Sequence, residues 1–362
     1  MTLTVALFLV LGLVIMIWGA ELLVRGASRL ATSVGISPLV VGLTVVAFGT
    51  SSPELAVSFM SAFKGQADLA LGNVVGSNIF NVLFILGISA LIVPLVVAQQ
   101  LVRFDVPVMI TISILILLMG MDGQIGRIDG VFLFAGAIAY TAFLIRQSRK
   151  ESSEEVKAEY DSEFGEKSPS SLVKNIGLIA LGLVGLVLGS KWLVTSAVAI
   201  AQAFGVSELV IGLTIVAAGT SMPEVATSIM AAIKGERDIA VGNVVGSNIF
   251  NILCVLGLSS LVAPAGITVS EAALRFDIPV MIAVAIACLP IFFVGYRISR
   301  FNGAAFLSFY LAYLAYLIFT ATNHDSLGTL RAAMLYFILP ITALTLIVIS
   351  VRELAIKKKS LT

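Results

Sequence analysis

The decapeptide GNVVGSNIFN occurs twice without change, at residues 72–81 and 242–251. It belongs to a longer duplication: Leu39–Leu83 aligns with Leu209–Leu253 at a constant offset of 170 residues, with 31 of 45 positions identical. Further along, RFDVPVMI from Arg103 matches RFDIPVMI from Arg275 at an offset of 172. A chain that repeats itself over this distance folds as two similar halves.

Each half is built from apolar runs of about 20 residues, the length that spans a hydrocarbon core of about 30 Å as a helix. The expected spans are 3–24, 38–63, 70–97, 104–121, 127–147, 172–200, 208–233, 240–264, 274–296, 302–321 and 332–351. The duplication takes in five spans per half and leaves the last one over. Two copies of a five-span unit cross a membrane in opposite senses, so the repeats are inverted about an axis in the membrane plane, an arrangement typical of secondary transporters. The expected fold is therefore an all-α polytopic membrane protein. Residues 1–147 form the first five-helix repeat, 148–171 a charged linker and 172–321 the second, inverted repeat; 322–362 add an extra helix and a basic tail.

Composition agrees. Of the 362 residues 59% are hydrophobic and 12% charged, against about 25% charged in soluble domains; mean hydropathy is +1.08. A net charge of +1 and the lack of a basic stripe exclude a nucleic-acid partner; the partner surface is the lipid bilayer. Cys254 and Cys288 lie in apolar spans and point to neither disulfides nor zinc. The lone His324 sits in a polar loop and reads as a solvated side chain. No positive residue precedes the first apolar run, which reads as a transmembrane helix and not a signal peptide. The linker RQSRKESSEEVKAEYDSEFGEKSPSSLVK is a solvated tether without the Asp/Asn and Gly spacing of an EF-hand.

Charge sets an orientation. With the N-terminus outside, 17 of the 22 Lys and Arg residues fall inside and five outside, as the positive-inside rule requires. The linker and the C-terminus are then cytoplasmic, and the expected location is the plasma (inner) membrane.

Two polar clusters interrupt this apolar chain: AFGTSSPE, Ala47–Glu54, and AAGTSMPE, Ala217–Glu224. Pro53 and Pro223 lack an N–H, so the carbonyls of Gly49 and Gly219 lose their helical partners, and the glycines ease the distortion. The two helices are expected to be discontinuous at the centre of the fold. Freed carbonyls at membrane depth need protein, water or an ion. Beside them stand Thr50, Ser51 and Glu54, and Thr220, Ser221 and Glu224. These are hard oxygen donors, suited to Na⁺ and Ca²⁺. A mid-membrane acidic residue costs about 2.5–3.5 kcal/mol even on lenient scales, and two at matching positions point to function. In the decapeptides, Asn73, Ser77 and Asn81 share one helix face, as do Asn243, Ser247 and Asn251. Gly72 and Gly76, and Gly242 and Gly246, allow a neighbouring helix to approach closely. Asn78 and Asn248 read as helix–helix hydrogen-bonding groups or as support for the site. Glu21 reads as interfacial and Lys191 as a snorkelling side chain. Asp68 and Asp238 are placed in loops, and Asp105 and Asp277 at helix starts, where the helix dipole explains them as well as a cation would.

GTSSPE with GNVVGSNIFN, and GTSMPE with GNVVGSNIFN, resemble the two α-repeats of the sodium/calcium exchangers, within the calcium/cation antiporter superfamily. The resemblance covers the first ten spans and is strongest to the short prokaryotic members, which lack a large regulatory loop. It implies inverted five-helix repeats around four ion positions in a diamond. Glu54 and Glu224 would share Ca²⁺ with backbone oxygens of Thr50 and Thr220. Na⁺ positions would use Ala217, Thr220, Ser221, Glu224 and Ser77, and symmetrically Ala47, Thr50, Ser51, Glu54 and Ser247. Asn81 and Asn251 would flank the middle. The resemblance also implies that the first and sixth spans slide to give alternating access. Several relatives carry Asp where this chain has Asn251, which removes a third carboxylate and argues against potassium dependence.

The expected activity is Na⁺-driven Ca²⁺ export, with no cofactor and no enzymatic chemistry. The two ion loads compete because they share two glutamates. Burial and like charge disfavour ionisation of at least one of them, so H⁺ is expected to compete as well. The alternatives are a Ca²⁺/H⁺ or other divalent cation/H⁺ exchanger of the same fold, and a cation channel. A third class, an intramembrane enzyme, finds no support: there is no zinc signature and no convincing base for Ser51 or Ser221.

Overall fold

A computed structural model describes residues 3–151, 172–206, 208–211, 214–215 and 217–360. The linker expected at 148–171 lies outside the described residues from 152 onward. The helices are α1 (Leu3–Val34), α2 (Pro38–Thr50), α3 (Ser52–Phe63), α4 (Asp68–Ile92) and α5 (Leu101–Asp122), then α6 (Arg127–Glu151) and α7 (Leu172–Ala203). They continue with α8 (Glu208–Ile211), α9 (Ala217–Gly219), α10 (Met222–Ile233), α11 (Arg237–Val262), α12 (Ala273–Phe293), α13 (Arg300–Ala321) and α14 (Leu327–Ala355). Among the described residues, nine helices are long and apolar enough to cross a membrane, and the bent pair α2–α3 makes a tenth. The expected span 208–233 is occupied by α8, α9 and α10, with residues 212, 213 and 216 outside the described set.

The first and sixth spans are longer than hydropathy suggested. Both α1 and α7 run for 32 residues, about 48 Å at the helical rise, well beyond the hydrocarbon core. Nothing after Val24 breaks the helix until Gly35, at φ +70, and α7 is followed by Gly205 at φ +75. A left-handed glycine is the usual helix stop; loss of hydrophobicity is not. Asp68 and Asp238 lie in first helical turns and not in loops, where an acid complements the helix dipole.

α1 and α7 lie against each other along glycine faces. A Cβ on Gly182 would meet the Leu23 amide at 2.6 Å, one on Gly189 the Met16 amide at 2.6 Å, and one on Gly19 the Leu186 amide at 2.7 Å. Close backbone approach of this kind replaces the hydrophobic drive that lipid cannot supply. Similar contacts fix the outer helices: Gly87 meets Gly303 between α4 and α13, and Gly257 meets Gly130 between α11 and α6.

α4 and α11, the decapeptide helices, form the interior. In α11, 94% of the spanning window is buried, whereas in α14 none is. The broken spans lie against this pair. The chain breaks at Ser51 (φ −80, ψ 8), with α2 and α3 inclined at 48°, and again at Ser221 (φ −87, ψ 7). Pro53 and Pro223 stand in the first turn of the following half-helix. The two spans are discontinuous here, as expected. The helix stops before the proline, whose missing N–H is harmless at a helix start.

Four two-residue strands add to the all-helical expectation. β1 (Leu95–Val96) pairs antiparallel with β4 (Arg297–Ile298), and β2 (Gln124–Ile125) with β3 (Ile267–Thr268). Each ladder joins a loop of the first half to a loop of the second. The charge count had assigned the loops of each ladder to the same side of the membrane.

The α1–α7 contact generates a stability test. Gly182→Leu is expected to destabilise the protein by about 1–3 kcal/mol through overpacking, read as a lowered Tm in detergent. Gly177→Leu, on the same helix with no atom of the described residues within 4 Å of its added Cβ, should leave Tm unchanged.

Candidate cation site

Glu54 opens α3 and Glu224 opens α10, each in the first turn and each fully buried. The breaks at Ser51 and Ser221 cross-connect them. Ser51 Oγ donates to Glu224 Oε1 at 2.9 Å, and Ser221 Oγ donates to Glu54 Oε1 at 2.7 Å. Thus each carboxylate is held by the hydroxyl of the other half.

The decapeptide helices supply the surrounding wall. Thr50 Oγ1 donates to Asn243 Oδ1 at 3.1 Å and Thr220 Oγ1 to Asn73 Oδ1 at 3.3 Å. Asn73 Nδ2 reaches Ser58 Oγ at 2.9 Å and the Glu54 carbonyl at 3.3 Å; Asn243 Nδ2 reaches Ser228 Oγ at 3.0 Å. The Ser77 and Ser221 hydroxyls are 3.1 Å apart. Nearer the ends of the two decapeptides, Asn81 Nδ2 donates to Asn248 Oδ1 at 3.0 Å and Asn251 Nδ2 to Asn78 Oδ1 at 3.1 Å.

What remains, among the described residues, is a set of oxygens with no hydrogen-bond partner. Glu54 Oε2, Glu224 Oε2, Asn81 Oδ1, Asn251 Oδ1 and Ser247 Oγ are all buried and unpaired. An unsatisfied buried polar atom costs about 1–3 kcal/mol. With both carboxylates ionised, four of these five only accept, so a cation or a donated hydrogen would satisfy them. Among the described residues no group of three or more His, Cys, Asp or Glu side chains gathers anywhere. The donor set is therefore two carboxylates plus neutral oxygens, which suits hard cations.

The backbone oxygens differ from expectation. The freed Gly219 carbonyl accepts Ser190 Oγ from α7 at 2.9 Å, so it is not bare. The corresponding residue on α1 is Ala20, which has no hydroxyl. Ala47 is buried and its carbonyl accepts the Ser51 amide at 3.0 Å. Ala217 starts α9; its side chain is outside the described set. Gly49 and Gly219 give room to Leu183 and Val194 of α7, at 2.7 and 3.0 Å from an added Cβ.

Gly242 and Gly246 lie against α2, with an added Cβ at 3.1 Å from the Leu39 carbonyl and 2.6 Å from that of Leu43. Gly72 and Gly76 have nothing within 4 Å among the described residues; residues 212, 213 and 216, in the stretch matching that part of α2, lie outside them.

Several polar partners were not singled out from the sequence. Ser58 and Ser228 follow the glutamates by one helical turn at the repeat offset, a signal that was available. Asp105 is fully buried and accepts from Tyr140 Oη at 2.9 Å, and Asp277 accepts from Tyr313 Oη at 3.0 Å. A phenol explains each better than a helix start does. Glu21 is not near its helix end; it pairs with Lys234 at 2.6 Å and Arg25 at 3.5 Å. His324 is exposed and stacks on Phe319.

Comparison with known proteins shows the family. The family model for the sodium/calcium exchanger protein matches residues 4–146 and 174–319. A putative antiporter, CaxA, of Alkalimonas amylolytica is 38% identical over 323 residues, 88% of this chain and 100% of that protein. The sodium/calcium exchanger MaX1 of Methanosarcina acetivorans is 33% identical over 345 residues, covering 86% and 98%. The solved structure of the sodium-calcium exchanger NCX_Mj superposes with a TM-score of 0.75 at 30% identity, covering 88% of this chain and 100% of that one. The chain is a member of the sodium/calcium exchanger family, a transporter and not an enzyme.

Proposed function

We propose that this chain exchanges Na⁺ for Ca²⁺ by alternating access, exporting Ca²⁺ down the coupling to the Na⁺ gradient. One observation carries the reading: two fully buried glutamates, each at the start of a half-helix, each with one oxygen held by the other half and one left unpaired. Two carboxylates balance one Ca²⁺. With neutral oxygens from Asn81, Asn251, Ser77, Ser247 and the threonine and alanine backbones they can also hold Na⁺. Both loads need Glu54 and Glu224, so the loads exclude each other, and H⁺ competes for the same two groups. The relatives named as sodium/calcium exchangers support the ion pair. The loop ladders and the paired hydrogen bonds between halves support inverted repeats meeting at this site.

In proteoliposomes loaded with Ca²⁺, an inward Na⁺ gradient is expected to drive efflux, and a pH step alone is not. Efflux that follows the pH step and ignores Na⁺ would favour a proton-coupled exchanger. Flux with no counter-ion on the far side would favour a channel. Glu54→Gln and Glu224→Gln are each expected to weaken Ca²⁺ transport by more than about 100-fold, equivalent to about 2.7 kcal/mol. Size-exclusion profiles should stay those of folded protein.

The proposed orientation has the N-terminus outside and the KKK tail in the cytoplasm of a plasma (inner) membrane. A fluorescent protein fused after Thr362 should fluoresce, and alkaline phosphatase at the same point should be inactive.

A further inference from the structure

Four asparagines lie where α4 meets α11, and their hydrogen bonds can be oriented without ambiguity. Asn78 Nδ2 faces the main-chain carbonyl of Asn248 at 3.2 Å and Met281 Sδ at 3.6 Å. A carbonyl and a thioether only accept, so the amide nitrogen of Asn78 must be on that side. Its Oδ1 is therefore on the other side, where it meets Asn251 at 3.1 Å. Facing an oxygen, Asn251 must present Nδ2. The Oδ1 of Asn251 is then turned away and is buried with no partner.

The second half repeats the relay. Asn248 Nδ2 faces the Asn78 carbonyl at 3.3 Å and Met109 Sδ at 3.5 Å. Its Oδ1 accepts from Asn81 Nδ2 at 3.0 Å, and Asn81 Oδ1 is left buried and unpaired. All four side chains are at most 2% exposed. Asn81 and Asn251 each begin a π-helical turn, Asn81–Leu86 and Asn251–Leu256, a distortion often found at functional positions. Asn81 shares its helix face with Asn73 and Ser77, the face that meets Thr220 and Ser221.

We infer that Asn78 and Asn248 are positioning residues that act across the halves: Asn78 turns the amide oxygen of Asn251 into the cation site, and Asn248 does the same for Asn81. Without the relay, either amide could rotate and point an N–H pair at a cation, replacing attraction by repulsion. The relay makes both amides pure oxygen ligands in the empty and the loaded site alike. The inference rests on the reading of the site as a cation site. Its distinctive content is the pairing, because each positioning residue serves an amide on the other helix and not the one on its own.

The test is a double-mutant cycle on the full chain in proteoliposomes, reading the half-saturating Ca²⁺ and Na⁺ concentrations and the maximal rate. Asn78→Ala is expected to raise the half-saturating Ca²⁺ concentration about 10–100-fold, the usual effect of losing a group that orients a metal ligand. Placed on Asn251→Ala it should add nothing, because there is no amide left to orient. Placed on Asn81→Ala it should keep its full effect, since Asn78 acts on Asn251, which is still present. Asn248→Ala should show the mirror pattern, coupling to Asn81→Ala alone. Asn78→Leu, which keeps the volume, replaces Asn78→Ala if the smaller variant is not monodisperse. Effects of Asn78 that are additive with Asn251→Ala, or that couple equally to Asn81→Ala, overturn the inference. So does a lowered maximal rate or Tm with unchanged ion dependence. A parent protein that exchanges no Na⁺ for Ca²⁺ overturns the functional reading instead, so the two failures are distinct.

Discussion

The crossed hydrogen bonds between Ser51 and Glu224 and between Ser221 and Glu54 set the terms for the rest of this fold. Two acidic groups are buried together with no basic partner among the described residues, and an acidic residue at membrane depth points to function. Among the described residues one oxygen of each is satisfied by protein and the other is not. The centre is held together and is still incomplete, in keeping with the proposed cation site. Because each serine belongs to the opposite half, the centre forms only when both halves are docked.

Docking requires the helices to be interrupted at one place. The break at Ser51, and its counterpart at Ser221, bring a hydroxyl and a carboxylate close in sequence to opposite ends of two half-helices. The glycines at 242 and 246 let α2 sit directly on α11, which carries Asn243 to Thr50. The α1–α7 pair is held in a similar way. Its main chains touch through glycine faces, so its fit depends on shape more than on interlocking side chains.

Much of this was legible before any coordinates. The duplication, the apolar spans and the GTSxPE clusters reported two broken helices, two interior decapeptide helices and a pair of buried glutamates. What escaped had physical causes. The true ends of α1 and α7 are set by left-handed glycines, which hydropathy does not register. The π turns at Asn81 and Asn251 follow no local sequence pattern that announces them. Ser190 meets the Gly219 carbonyl only because α7 lies against the break, and Ala20 at the matching place shows that the repeat itself could not have revealed it. Asp105 and Asp277 looked like helix-start acids because their phenol partners, Tyr140 and Tyr313, lie 35 and 36 residues away.

The two short ladders bear on how a chain like this can diverge. They clasp one half to the other through main-chain bonds at Leu95–Val96 with Arg297–Ile298, and at Gln124–Ile125 with Ile267–Thr268. Main-chain bonds are indifferent to side-chain identity. Drift at these eight positions therefore leaves the clasp intact, proline at a donating position being the exception. Loops are ordinarily where related proteins lose their likeness. Here the connection between the halves can survive that loss, which frees the exposed faces to change while the interior asparagines, serines and glutamates stay in register.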